Sequence, residues 1–326
     1  MNNTIKFFVD TKNSGKRLDI FLKENVKNFT RSFLKKQIEN KQVKLNNTIT
    51  IFPSTKIKFK DSITLNISNK KVSNIIPRKI KIDIMYEDKD ILIVNKPKGM
   101  VVHPGAGNKD NTLVNALLFK YKKNLSDFNG LLRPGIVHRI DKDSSGLLVI
   151  AKNNISHSNL GDQFSKHTIK RKYICLAWGV IRPLEGKIET LITRDKKNRQ
   201  LMTVSDINGK KAITNYETIE IFENKNTPTL SLLECKLETG RTHQIRVHMN
   251  YLGNSIVGDD KYKKKFKKIK NVNPLLEKNL INLNRQFLHA KTIGFIHPKK
   301  KVEMVFNAIL PHELEKIIKM LRNSDK

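Results

Sequence analysis

The sequence predicts an α+β protein in two parts: a small helix–helix–strand module, then a larger sheet-rich domain. Two observations carry this reading. Strand-like apolar runs (DILIVN, GLLVIA, YICLAWG, SLLECKLE, KTIGFIH) are interspersed with helical stretches at 111–121, 155–167, 242–252 and 311–322, without the regular βα alternation of a doubly wound sheet. Between the two parts, residues 68–80, SNKKVSNIIPRKI, lack periodicity and contain Pro77, as a linker does. The expected domains are 16–75 and 81–322.

In the first domain, KRLDIFLKENV puts Leu18, Phe21, Leu22 and Val26 on one helical face. Thr30 is the expected N-cap of a second helix, RSFLKKQIEN, with Phe33, Leu34 and Ile38 as its apolar stripe. VKLNNTITIF alternates as a strand pair turning at Asn46–Asn47, and KIKFKDSITLNI supplies another. Arg31, Lys35, Lys36 and Lys44 form a basic face.

The chain carries 63 Lys and Arg against 30 Asp and Glu, a net charge of +33. Such an excess calls for a polyanion, nucleic acid before an anionic membrane surface. Only 13 of the 63 are Arg, and Asn and Ile are also abundant. Lys, Asn and Ile share A/T-rich codons, so the placement of charge says more than its total. No basic amphipathic helix with a bulky apolar face is visible, which argues against a membrane partner. Residues 260–270, DKYKKKFKKIK, read as a solvated loop or an RNA-facing arm. Cys175 and Cys235 form no CxxC and sit in strand-like runs, so buried free thiols are expected. The N-terminal stretch has no long apolar segment, and no run approaches 18 apolar residues. A cytoplasmic protein is expected.

The second domain concentrates its chemistry in HRIDKD, residues 138–143, immediately before a buried-strand run. A kinase catalytic loop is excluded: Ile140 separates Arg139 from Asp141, and neither a DFG nor a Gly-rich loop before a strand Lys is present. A metal site from His138, Asp141 and Asp143 lacks any supporting HExxH or His pair at helical spacing. In TGRTHQIRVHMNYLG, Thr242 is the expected helix cap and Gly253 the terminator. Ile245, Met249 and Leu252 then face the core, with Arg246 in the first turn. In KYICLAWG, Tyr173 shares a strand face with Cys175 and Ala177.

The string GIVHRIDKDSSGLLVIAK resembles the signature of the RluA family of pseudouridine synthases. Four further blocks agree in the family's order: YEDKDILIVNKPKGMVVHPGAGN, RKYICLAWG, LETGRTHQIRVHMNYLGNSIVGDDKY and RQFLHAKTIGFIHP. The first domain, with RLDIFL, TRS and VKLNN, resembles an S4 RNA-binding domain, although Asn47 and Lys41 stand where that pattern has turn glycines. The whole looks most like the D-type branch. The resemblance implies a mixed, largely antiparallel sheet around a central catalytic cleft. It also implies isomerisation of uridines in 23S ribosomal RNA, in the helix 69 hairpin, free or within an assembling large subunit. No cofactor and no metal are implied, because the reaction exchanges a C1′–N1 bond for a C1′–C5 bond with no net redox change.

Asp141 aligns with the family's catalytic Asp. A carboxylate there can attack the sugar or the base, or take a proton from C2′. Desolvation raises a carboxylate's pKa from about 3.9, and an adjacent Arg lowers it by roughly 1–3 pH units; Arg246 aligns with the family's basic partner. Tyr173 aligns with its active-site Tyr, placed to stack on the uracil. Such a uridine must leave the RNA stack. His138 and Arg139 are candidates to fill the gap, His138 having loop-fixing as its other role. Arg241 meets either a phosphate or a structural carboxylate. Asp143 is expected to bond the turn's amides, and His289 and His297 to fix local loops. The reading from a different class is a non-catalytic RNA-binding ribosome-assembly factor, which would have lost Asp141, Tyr173 or Arg246; all three are present.

Overall fold

A computed structural model describes residues 3–26, 29, 31–67, 75–105, 107–122, 124–128, 130, 132–223, 225, 227–262 and 272–323. The first elements are β1 (Asn3–Phe8), α1 (Leu18–Asn25), α2 (Arg31–Glu39), β2 (Val43–Leu45), β3 (Thr48–Ile49) and β4 (Ser62–Ile67). They form an antiparallel sheet in the order β1-β4-β2-β3. Its core is its own: Leu18, Phe21, Leu22 and Val26 of the first helical segment meet Leu34, Ile38, Val43, Ile63 and Leu65. β1 lies upstream of residue 16 and pairs along the whole of β4, so the sheet begins earlier than the helical periodicity indicated. Thr30, the expected cap, and residues 68–74 of the expected linker lie outside the described residues. Residues 75–80 are no free linker: Ile75 is buried, and Ile76 O and Arg78 N bond to Asn115.

The rest comprises β5 (Asp83–Glu87), β6 (Ile91–Lys96), α3 (Leu113–Tyr121), β7 (Ser145–Ala151), α4 (Asn154–Ser165), β8 (Lys170–Trp178), β9 (Glu185–Arg194), β10 (Met202–Ser205), β11 (Lys210–Phe222), β12 (Leu230–Leu237), α5 (Gln244–Tyr251), α6 (Pro274–Ile281), β13 (Leu288–Ile296), β14 (Glu303–Asn307) and α7 (His312–Asn323). Among the described residues these strands form one sheet in the order β10-β9-β11-β12-β8-β13-β7-β6-β5, with β14 on β13. Every pairing is antiparallel except β13 with β7. The α+β class and the largely antiparallel sheet expected from the sequence are what the chain forms.

The continuous apolar runs of β6 and β7 follow from burial on both faces. Ile91, Ile93, Leu147 and Val149 pack with Leu160 of α4 on one side. Leu92, Val94, Leu148 and Ile150 pack with Leu113 and Leu117 of α3 on the other. A strand covered on both sides needs apolar residues at every position rather than at alternate ones. Cys175 and Cys235 are buried free thiols on neighbouring strands. α6 was not expected. Asn273 caps it by accepting from Leu275 and Leu276 amides, with Pro274 in its first turn.

Candidate active site

β7 is where the site begins. Just before it, the turn Asp141–Ser144 is closed by Ser144 N–H donating to Asp141 O at 3.2 Å. Three anchors hold this turn. Gln286 Nε2 donates to Ser144 Oγ. Arg285 Nη2 donates to Ser145 Oγ, which leaves that hydroxyl's proton for His289 Nδ1 at 2.9 Å. Lys96, with no exposed surface, donates Nζ to Pro97 O, Met100 O and Lys142 O at 2.7–2.9 Å. Burial, then the charge of Arg285, pull the Lys96 ammonium down to about 7, against Asp143 and Asp141. Asp143 forms no bond to the turn's amides among the described residues; the turn is held instead through its hydroxyls and the Lys142 carbonyl.

The Asp141 side chain is 16% exposed and faces a hollow lined also by Arg139, Tyr173, Arg241, His243 and Arg246. Arg246 donates Nη1 to Asp141 Oδ2 at 3.0 Å across 105 residues of sequence. It is aimed by a second carboxylate: Asp259 accepts Nε at 2.6 Å and Nη2 at 2.8 Å. Such a two-point clamp fixes the guanidinium plane. The Tyr262 ring lies 5.1 Å from the guanidinium carbon. Burial opposes the Arg246 charge, but the bonds and charges of Asp259 and Asp141 outweigh it and raise the pKa.

A second donor faces Asp141. Met202 N–H donates to Tyr262 Oη at 2.9 Å, so the Tyr262 proton goes to His243 Nδ1, 2.7 Å away. His243 then carries its own proton on Nε2, which lies 4.0 Å from Asp141 Oδ1. Burial lowers the His243 pKa, with Asp141 opposing, so the ring is neutral at pH 7. His243 holds a left-handed φ of 56° and is itself the N-cap of α5, without a capping side-chain bond. Thr242 is therefore not the cap. Gln244 Oε1 accepts the Arg241 amide at 2.9 Å, which fixes the loop just ahead of the helix. Gly253, at φ 90°, follows the helix end as expected.

Tyr173 is buried on β8 and lines the same hollow. Burial raises its hydroxyl pKa; Arg171 works against this and Asp141 adds to it. Arg139 is exposed and Arg241 half-buried at the hollow. Arg139 Nη1 stands 3.3 Å from His103 Nε2. Arg241 Nε donates to Lys211 O at 2.8 Å and meets no carboxylate among the described residues. His138 is turned away. Its ring packs on Phe164, and its Nε2 accepts from Val149 N–H at 3.1 Å. Burial, then Arg171, push its pKa down to about 3. Of the two roles open to His138, this geometry is that of a loop-fixing residue, not of a group facing RNA. His297 likewise fixes a loop, bonding Asp88 and the Lys299 and Lys300 amides.

On the N-terminal sheet, Arg31 is not free on a basic face. With Arg17 it clamps the buried Asp19, at 2.8 and 3.0 Å. Lys35 lies 3.7 Å from Glu39, and Lys36 is exposed. Of the Lys-rich stretch, residues 263–270 lie outside the described residues. The sequence reading missed Lys96, Arg171, His243, Asp259 and Tyr262; the last two stand in the GDDKY string, which flanks that stretch.

The model of the RNA pseudouridylate synthase family matches residues 90–251. An uncharacterized RNA pseudouridine synthase of Bacillus subtilis is 39% identical over 99% of both chains. The ribosomal large subunit pseudouridine synthase D of Zymomonas mobilis is 42% identical over 96% of both. The human RNA pseudouridylate synthase domain containing 4 shares the fold, with a TM-score of 0.55 over 74% of this chain and 93% of its own, at 23% identity.

Proposed function

The chain belongs to the RNA pseudouridylate synthase family, and from that membership we propose that it isomerises uridines in large-subunit ribosomal RNA, with Asp141 as the acting carboxylate. The observation that carries the assignment is the Asp141–Arg246 ion pair, facing a hollow that Tyr173 also lines. Relatives named for large-subunit ribosomal RNA, alike over nearly their full lengths, support the substrate.

The reaction requires the C1′–N1 bond to break, the uracil to turn, and C5 to join C1′; the C5 proton is lost and N1 gains one. The chain supplies an anion beside the nucleoside and a rigid setting for it. Arg246 bonds one oxygen of Asp141 and the His243 Nε2 edge lies 4.0 Å from the other, which orients the carboxylate. Tyr173 offers a ring face for the extruded uracil and a hydroxyl near the reacting atoms. Arg139 and Arg241 bring phosphates to the rim. Residues 3–67 act as an S4-like RNA-binding module in which Lys35 and Lys36 are among the exposed cations, while Arg31 also bonds the buried Asp19. The hairpin known as helix 69, in free 23S RNA or in an assembling subunit, is the proposed target, and the cytoplasm the place of work. Among the described residues no helix is long and apolar enough to cross a membrane.

Chemical mapping of pseudouridines in ribosomal RNA from cells with and without this protein tests the proposal. It requires one or more large-subunit positions to revert to uridine in its absence; an unchanged map refutes it.

A further inference from the structure

Three arginines of the catalytic part are buried: Arg171, Arg246 and Arg285. Arg246 pairs with Asp141 and Asp259, and Arg285 with Glu313. Arg171 has no carboxylate partner among the described residues. It is 7% exposed, on β8 two positions before Tyr173. Its Nη2 donates to the carbonyl of Glu238 at 3.0 Å, its Nε has no hydrogen-bond partner, and Phe164 lies 5.4 Å beneath the guanidinium. Burial lowers its pKa; the Tyr173 phenol works against this and the like charge of Arg241 adds to it. A desolvated cation without a carboxylate partner is costly, and the Glu238 carbonyl and the Phe164 ring face offset only part of that cost.

Arg171 is not sealed inside the core. It lines the hollow that holds Asp141 and Tyr173, with Arg139 and Arg241 on the same lining. Gly240 completes this wall: a Cβ there would stand 2.7 Å from Arg171 Nη1. The missing side chain keeps room for one edge of the guanidinium beside the hollow. A buried guanidinium with a free Nε and no carboxylate partner, lining the hollow that Asp141 faces, is suited to an anion that arrives with the substrate.

We propose that Arg171 binds the phosphodiester flanking the extruded uridine, closing with Arg139 and Arg241 a three-arginine clamp whose floor is Arg171. The inference rests on the reading of this hollow as the uridine site. It adds a division of labour: Asp141 is held by Arg246 on one wall, while the phosphate is held away from that anion, by Arg171 on another. The phosphate supplies the counter-charge the fold omits, so Arg171 meets an anion only when RNA is seated.

The test measures binding of a large-subunit ribosomal RNA transcript over a salt series, in an Asp141→Asn background so that turnover does not intrude. Arg171→Met is expected to weaken binding about tenfold and to flatten the slope of log K against log[salt] by about 0.7–0.9, the contribution of one phosphate contact. Its melting temperature should stay level or rise, because an unpaired buried charge has been removed. Arg171→Lys should keep the slope. Gly240→Ala, which displaces only the flexible end of Arg171, should weaken binding with no loss of stability, and it carries the test if Arg171→Met does not fold. An unchanged salt slope in both Arg171→Met and Gly240→Ala overturns the proposal. So does a fall in kcat of Arg171→Met in the Asp141 enzyme with KM and slope intact, which would assign Arg171 to positioning Tyr173. Turnover retained by Asp141→Asn would instead sink the catalytic reading while leaving the salt slopes to decide on Arg171.

Discussion

A carboxylate that works on RNA must sit among cations without being smothered by them. At Asp141 this is arranged by giving its main partner, Arg246, a second acid to hold. Asp259 takes two guanidinium edges and leaves Nη1 for Asp141. Asp259→Asn should therefore do two things. Breaking a buried pair should lower stability by about 3 kcal/mol in urea unfolding. Turnover should also fall much further than RNA affinity, because Arg246 loses its aim; equal falls in both would mean that Asp259 serves only the fold. Asp141, Tyr173 and Arg246 were legible in the sequence because each stands in a block with a recognisable pattern. Asp259 was not: it is 13 residues from Arg246, and nothing in GDDKY marks which acid turns inward. Arg171 was missed for the opposite reason, since what distinguishes it is a partner that the folded chain does not provide.

The element that presents the site is the parallel seam between β7 and β13, where Ser145 pairs His289 and Gly146 pairs Ala290. Gly146 has φ +115°, and a Cβ there would press into the Ala290 carbonyl, which as backbone cannot swing aside. Gly146→Ala should cost at least about 2–3 kcal/mol through strain and overpacking. Gly161→Ala, inside α4 with nothing within 4 Å of its added Cβ, should gain up to about 1 kcal/mol. Urea midpoints of the two variants measure the contrast; similar midpoints would mean the seam can open. The apolar runs that announced β6, β7, β8, β12 and β13 belong to the well-buried middle of the sheet. β9 was silent because Lys, Glu and Thr fill much of its exposed face, and β10 because it is only four half-buried residues long. The cap of α5 was misread because the chain enters it through a left-handed His243, a backbone state that Thr242 does not signal.

At the scale of the whole molecule, acid should unfold the protein through its buried histidines. Burial pushes His157, His248 and His289 down to about 4. Each binds a proton more readily unfolded than folded, so their contribution is complete above the unfolded value of about 6.5 and is lost as pH falls towards 4, at about 1.4 kcal/mol per pH unit per histidine. Melting temperatures should fall steeply between about pH 6.5 and 4.5; a flat profile there would mean these rings are charged in the fold. His289 bonds Ser145 beside the Asp141 turn, so the site should loosen with the fold. The net charge of +33 was the most visible property of the sequence and the least specific; the site depends on where one anion is kept within it. The direct test uses Asp141→Asn on a ribosomal RNA transcript tritiated at uridine C5, reading tritium release alongside RNA binding. The account predicts no release with binding changed less than about tenfold, whereas substantial release from the Asn variant would contradict it.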